Sequence, residues 1–328
     1  MKKNYDILDL TKIILSLMVV AIHTGLFPEI LYPWLRLAVP LFFIISAYLL
    51  FKKLNTLPTE KHGGVIKRYI SRMLLLYLFW FIVLLPITIK VRSAWFSDGI
   101  LMGVVNTLTK PLLDSTFIAS WYLMASIIGT PIVYYLSKRY KTKTLLIIFT
   151  LSHIACCYFS SYRSILPGAQ TASTISSFIE PQFSFLVSFI YIYIGKLFAD
   201  RKIQLKRRNS LIAIPTSCLL LYAEWFIIRR LTGAYNNDCY LMLVPTALFI
   251  FSFIKDITIH LKHSKILRQL ANFVYPLHGS IAYIISWKLS GYIAPGLPKF
   301  LTVIICCMVA FTVVKLLEKR IKILKYSY

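Results

Sequence analysis

The chain has 328 residues, of which 58% are hydrophobic and 15% charged, and its mean hydropathy is +0.70. That is more apolar side chain than a soluble core of this size can hide, so a water-soluble domain is excluded and an integral membrane protein is expected. The formal net charge of +25 carries no interleaved basic and aromatic motif, so a nucleic-acid partner is not expected either.

Ten apolar runs follow one another at the length of helices crossing about 30 Å of hydrocarbon. They are 7–27, 35–51, 70–89, 117–137, 144–159, 183–199, 211–228, 240–255, 270–288 and 300–317. Segment 99–110 reads as a re-entrant or surface helix. Lipid offers backbone groups no water to bond with, and the runs lack the alternation of a barrel, so strands are excluded. The predicted fold is all-α: a polytopic integral membrane bundle of about ten transmembrane helices, forming a single domain over 1–328.

The first run stays in place as a helix. It is too long for the apolar core of a signal peptide, and no small-residue cleavage site follows it. Lys and Arg crowd alternate loops, at 52–72, 138–143, 201–208, 255–268 and 315–325. With Lys2 and Lys3 this puts 26 on one side and nine on the other. That is the positive-inside pattern, and it places both termini in the cytoplasm. The bilayer, with its anionic headgroups, is the first expected partner. The six cysteines lie mostly within the helices. Without CxxC or Cys/His ligand spacing they read as small apolar packing, and no metal site is expected.

Two ionisable side chains interrupt the first helix. Lys12 and His23 are eleven residues apart, near one helix face and roughly 16 Å apart along the axis. Lys12 either snorkels to the inner headgroups with Asp9 as its partner or serves a site. His23 is either interfacial and neutral or a group that moves protons.

Beyond this the motifs carry a resemblance. "LDLTKIILSLMVVAIHT", a basic residue, ten residues and then His, resembles the first helix of the membrane-bound acyltransferase-3 family, which more often has Arg at the first position. "RLAVPLFFIISAYLLFKK" resembles that family's second helix, with Ala47 where Gly is usual. "KRYISRMLLLYLFWF", "SWYLMASIIG", "FLVSFIYIYIGKLFA" and "NFVYPLHGSIA" are similar to later segments. The first two matches are the specific ones. The same signatures resemble the membrane half of serine-racemase fusions.

What the resemblance implies is an O-acyltransferase in the bacterial cytoplasmic membrane. It moves an acyl group, acetyl by preference, from cytoplasmic acyl-CoA to a hydroxyl of a cell-envelope glycan or other envelope acceptor. Acyl-CoA is then a donor substrate, and no permanently bound cofactor is expected. Lys12, Arg68 and Arg72 are assigned to the CoA phosphates, with lysine lacking the bidentate fork of arginine. His23 is the catalytic group, as general base or as acyl carrier. His278 and Tyr275 come from the late motif. Trp121 and Tyr122 are either an aromatic interface belt or a wall of the site. Arg36 and Glu29 either pair with each other or touch the acceptor. Ser46 reads as helix packing, and His62, His260 and His263 as bystanders in basic loops. A second copy of the chain is admitted as a partner. The alternative is a transporter or permease of an amino acid or glycan intermediate, against which stands the lack of an inverted repeat and of paired broken helices.

Overall fold

The computed structural model describes residues 5–113, 117–118, 120–168, 170, 180–235 and 237–328. Asn236 and parts of the expected loops 90–116 and 160–182 lie outside the described residues. The described residues form helices and no strand. In chain order these are α1 (Asp6–Thr24), the short α2 (Tyr32–Leu35), α3 (Ala38–Leu54), α4 (His62–Val83), α5 (Leu85–Val91), α6 (Ile100–Leu113) and α7 (Trp121–Arg139). Then come α8 (Thr142–Phe159), α9 (Phe185–Ala199), α10 (Arg207–Thr232), α11 (Leu243–Ile254), α12 (Ser264–Lys288) and α13 (Leu297–Leu317).

Nine of the ten predicted apolar runs each overlap one of the longer helices, and run 70–89 crosses the break between α4 and α5. Five helical stretches are long and apolar enough to cross a bilayer: Asp6–Thr24, Glu29–Leu54, Thr142–Phe159, Arg207–Thr232 and Leu297–Leu317. A sixth is added if Thr59–Val83 and Leu85–Val91, bent by 72°, are one broken span. The shorter apolar helices Phe185–Ala199 and Leu243–Ile254 reach only about 22 and 18 Å. Ten crossings and cytoplasmic termini therefore go beyond what helix length and composition establish. The outward faces suit lipid: Ile147, Leu219 and Ile305 are 61%, 66% and 59% exposed. Segment 99–110 falls in α6, where Ile100, Leu101 and Leu108 point outward.

The centre of the bundle is α9. Its sequence is rich in β-branched and aromatic residues, which hold a helix poorly on their own. Burial of eleven of its fifteen residues against α3, α7 and α8 supplies the stability instead. Ser184 caps its start by accepting a hydrogen bond from the Leu186 amide at 3.2 Å. Near its end Gly195 touches α3 so closely that an added Cβ would stand 2.5 Å from the Ile44 carbonyl oxygen and 2.8 Å from the Ala47 Cβ. The small residue lets the two backbones meet.

Helix α1 is held between α3 and α12. It runs parallel to α12, as three contacts in register show. Asp9 meets Arg268 at 3.4 Å, Ser16 Oγ donates to the Ala271 carbonyl at 3.2 Å, and the ring of His23 meets that of His278. On α1, Lys12, Ser16, Val19 and His23 follow at helical spacing; on α12, Arg268, Asn272, Tyr275 and His278 do the same. Two polar stripes thus face one another inside an apolar bundle. Gly25, at φ +67°, ends α1 directly after Thr24, two residues beyond His23, with its amide bonded to the Ala21 carbonyl.

Candidate active site

Two cavities open along the seam between these stripes. The larger, about 520 Å³, lies at the Lys12 end. Its cations come from four helices: Lys12 from α1, Lys53 from α3, Arg68 and Arg72 from α4, and Arg268 from α12. The three residues assigned to CoA phosphates are therefore brought together, and Arg268 joins them. Lys12 is buried, yet Asp9, its expected partner, is occupied by Arg268. Among the described residues no hydrogen bond reaches Lys12 Nζ. A buried ammonium without a protein partner is costly to hold, so an anionic ligand in the cavity is the partner that would offset the cost. The neutral polar groups here are Ser46, Asn272, Tyr69, Tyr122, Tyr275 and Tyr328. Pro276 withholds the amide that would otherwise bond the Asn272 carbonyl one turn before it.

The smaller cavity, about 60 Å³, lies at the His23 end. His23, Arg36, Trp121, Gln182, Asp238 and Tyr191 line it. His23 is exposed to this space, although α1 is otherwise largely buried along this seam. Arg36 forms an ion pair with Asp238, and Glu29 pairs with Arg229. Of the two alternatives read from the sequence, the pairing of Arg36 with Glu29 gives way to other ion pairs: each residue takes a partner from α10 or the loop after it. Burial pushes the Asp238 carboxyl up from its usual range, while the Arg36 guanidinium pulls it back down. Gln182 Oε1 and the hydroxyls of Tyr191 and Tyr275 are buried without a hydrogen-bond partner among the described residues. Such atoms are expensive to leave unmet, which suits a wall facing a polar ligand.

Between the cavities stands a cluster of three rings. Phe42, Tyr122 and Tyr275 pack with centroids 5.7, 5.7 and 5.3 Å apart. Tyr275 lines both cavities. Tyr122 faces the basic one, its hydroxyl 3.0 Å from Ser46 Oγ. Trp121 faces the other, against Phe43 and Phe183 at 5.9 Å each. The aromatic pair of the motif is thus split between the two chambers and belongs to their walls. Ser46, read from the sequence as helix packing, lines the basic cavity.

His278 is fully buried and lies behind His23, with ring centroids 5.2 Å apart. Its Nδ1 is 3.1 Å from the Val274 carbonyl, and its Nε2 has no partner among the described residues. His62 bonds the Tyr134 hydroxyl and the Leu57 carbonyl, away from both cavities.

The family described as "Acyltransferase domain" matches residues 5–318. The chain belongs to the acyltransferase-3 family. Among curated proteins it is similar to an "Amino-acid racemase" of Enterococcus faecalis, 26% identical over 350 residues, covering 99% of this chain and 48% of the relative. A second "Amino-acid racemase" of the same organism is 24% identical over 267 residues, covering 76% of this chain and 36% of the relative. The chain thus spans about half the length, or less, of these relatives. No solved structure matches. Membership of the acyltransferase-3 family supports membrane acyl transfer as the general activity.

Sequence reasoning missed Arg268, Asn272, Gln182, Tyr191 and Asp238. Arg268 was counted only as an orientation charge, although its spacing to Asn272, Tyr275 and His278 marks one face of α12. Gln182 and Asp238 lie outside any periodic segment, so no pattern could have singled them out.

Proposed function

We propose that the chain is a membrane-bound O-acyltransferase that takes an acyl group from cytoplasmic acyl-CoA and delivers it to a hydroxyl of an envelope acceptor. One observation carries the reading: a cavity lined by five cations and a histidine cavity meet at a shared wall, Tyr275. Phosphates of the donor sit among Lys12, Arg68, Arg72 and Arg268, where charge-assisted hydrogen bonds are strongest. The thioester arm extends along α1 toward His23, which lies roughly 16 Å further on. His23 takes the proton of the acceptor hydroxyl as that oxygen attacks the thioester carbonyl. The C–S bond breaks, and the CoA thiolate leaves to be protonated. If the imidazole carries the acyl group instead, the same cavity holds the acyl-imidazole until the hydroxyl attacks. His278 positions the His23 ring.

The test is CoA release by the purified full chain in detergent with acetyl-CoA, with and without an extract of envelope glycan. Acceptor-dependent release supports the reading, and its absence with every short-chain acyl-CoA overturns it. A second reading has one observation of its own. The Arg36–Asp238 pair offers both signs to a zwitterion, and the relatives are named for amino-acid chemistry, so an amino-acid permease is the alternative. Uptake of labelled amino acids into proteoliposomes without any CoA ester would favour it.

A further inference from the structure

Beside the His23 cavity, whose wall includes Cys239, the structure gathers a cluster that the sequence reading did not. His153 and Cys157 lie one turn apart on α8, and Cys239 comes from the loop before α11; their ligand atoms all lie within 4.8 Å of one another. All three residues are at most 2% exposed. The lack of ligand spacing in the sequence does not bear on this cluster, because folding brings its third member from a distant loop. We propose that His153, Cys157 and Cys239 hold a thiophilic d10 cation, Zn2+ or Cu+, that fastens the loop carrying Asp238 to α8.

The distances suit a shared ion. Bonds of about 2.0–2.1 Å to nitrogen and about 2.3 Å to sulfur at a tetrahedral angle put N and S about 3.5 Å apart. His153 Nε2 lies 3.5 Å from Cys157 Sγ. The same nitrogen is 3.1 Å from the Tyr240 carbonyl oxygen, which supplies a fourth donor from the residue after Cys239. Protonated on Nδ1, the imidazole turns the Nε2 lone pair toward that carbonyl and the sulfur, an arrangement that a cation between them relieves. Protonated on Nε2, it bonds the carbonyl and leaves a buried Nδ1 without a partner. Two thiolates and one imidazole are soft to borderline donors, which favour Zn2+ and Cu+ over hard cations. Binding displaces the two thiol protons to solvent, so no oxidant or reductant is needed.

The consequence reaches the His23 cavity through one peptide bond. Cys239 follows Asp238, the partner of Arg36. Serine 161 already fixes the Cys239 carbonyl through its hydroxyl, and Glu224 accepts from the Leu241 and Met242 amides at 2.6 and 2.8 Å. The metal ties the side-chain end of a segment whose backbone is thus held.

The experiment is metal analysis of the full chain purified in detergent without chelator and with a non-thiol reductant. About one Zn2+ or Cu+ per chain is expected, with the element deciding between the two. Cys157→Ser and Cys239→Ser should lose it, and Cys156→Ser, whose sulfur points instead to the Pro181 carbonyl, should keep it. Should the ligand variants fail to fold, Co2+ added to chelator-treated wild type provides an independent readout through thiolate-to-cobalt charge-transfer absorption. Wild-type protein that carries no stoichiometric metal and gives no such absorption overturns the proposal. A Cys157–Cys239 disulfide in the native protein, seen by peptide mass without reduction, overturns it as well.

Discussion

The rings of His23 and His278 lie 5.2 Å apart, inclined by 53°, one open to a cavity and the other fully buried behind it. They come from parallel helices whose register is set lower down by Asp9 with Arg268 and by Ser16 with the Ala271 carbonyl. The position of the exposed imidazole is therefore fixed by contacts made two and more turns away. A change at Arg268 can be felt at His23.

His23→Gln should reduce acyl transfer by roughly 10²–10⁴-fold, the range for a lost general base. Its side chain faces a cavity, so expression and thermal stability should hold. Acyl-CoA labelled in the acyl group, supplied without acceptor, separates the two mechanisms: an acyl-imidazole leaves label on the protein and a general base leaves none. Normal turnover in folded His23→Gln protein would remove the residue from the chemistry.

Lys12 and Arg268 should respond differently although both face the basic cavity. Lys12→Met removes an ammonium that makes no hydrogen bond among the described residues, and it leaves Asp9 with Arg268, so stability should hold or rise. The KM for acyl-CoA should rise about 10- to 100-fold through loss of one charged contact, with kcat less affected, the signature of uniform binding. Arg268→Ala raises KM too, and it also strands Asp9, so its melting temperature should fall. Equal KM values in wild type and both variants would remove the donor assignment.

Part of this site was legible in the sequence through helical periodicity. Tyr275 and His278 were reached through the resemblance of the late motif, whereas Lys12 and His23 share a helix face, so their spacing placed them along one line before any contact was known. Arg268 was visible in the same way but was absorbed into a loop, because a charge at a helix end serves orientation and binding alike. Asp238, Gln182 and Cys239 sit in connections, whose positions depend on contacts that no local pattern encodes. The fold divides similarly. Apolar runs marked the helices, but the 72° break between α4 and α5 and the short span of α11 left the number of crossings open.

Topology is settled by reporters. The asymmetry of 26 to nine basic residues predicts cytoplasmic signals for fusions after Lys143, Arg208 and Arg268, and external signals near Asp98 and Arg163. One clear inversion would end the assignment of ten crossings.

Gly195 tests the packing at the centre. Gly195→Ala adds a Cβ 2.5 Å from a backbone oxygen, which a side-chain rotation cannot relieve. A loss of about 1–3 kcal/mol is expected from overpacking, readable as a lower melting temperature in detergent. A stability equal to wild type would mean that α3 and α9 slide apart without cost.

Tyr275 offers the sharpest test of a site built from two chambers. Its hydroxyl is buried without a partner, while its ring contacts Phe42 and Tyr122 and separates the cavities. Tyr275→Phe deletes an unmet polar atom and keeps the ring, so the protein should be as stable as wild type or more so. If the hydroxyl bonds the acyl group or the attacking oxygen, kcat falls in that variant while the KM for acyl-CoA is unchanged. Tyr275→Ala removes the ring as well, at about 3–5 kcal/mol by analogy with other large aromatic truncations. It also joins the chambers, so water gains a path to the thioester. CoA release without acceptor should then rise relative to transfer. Were Tyr275→Ala to keep a wild-type ratio of transfer to hydrolysis, the aromatic cluster would be packing alone, and the two cavities would have to be served by another route.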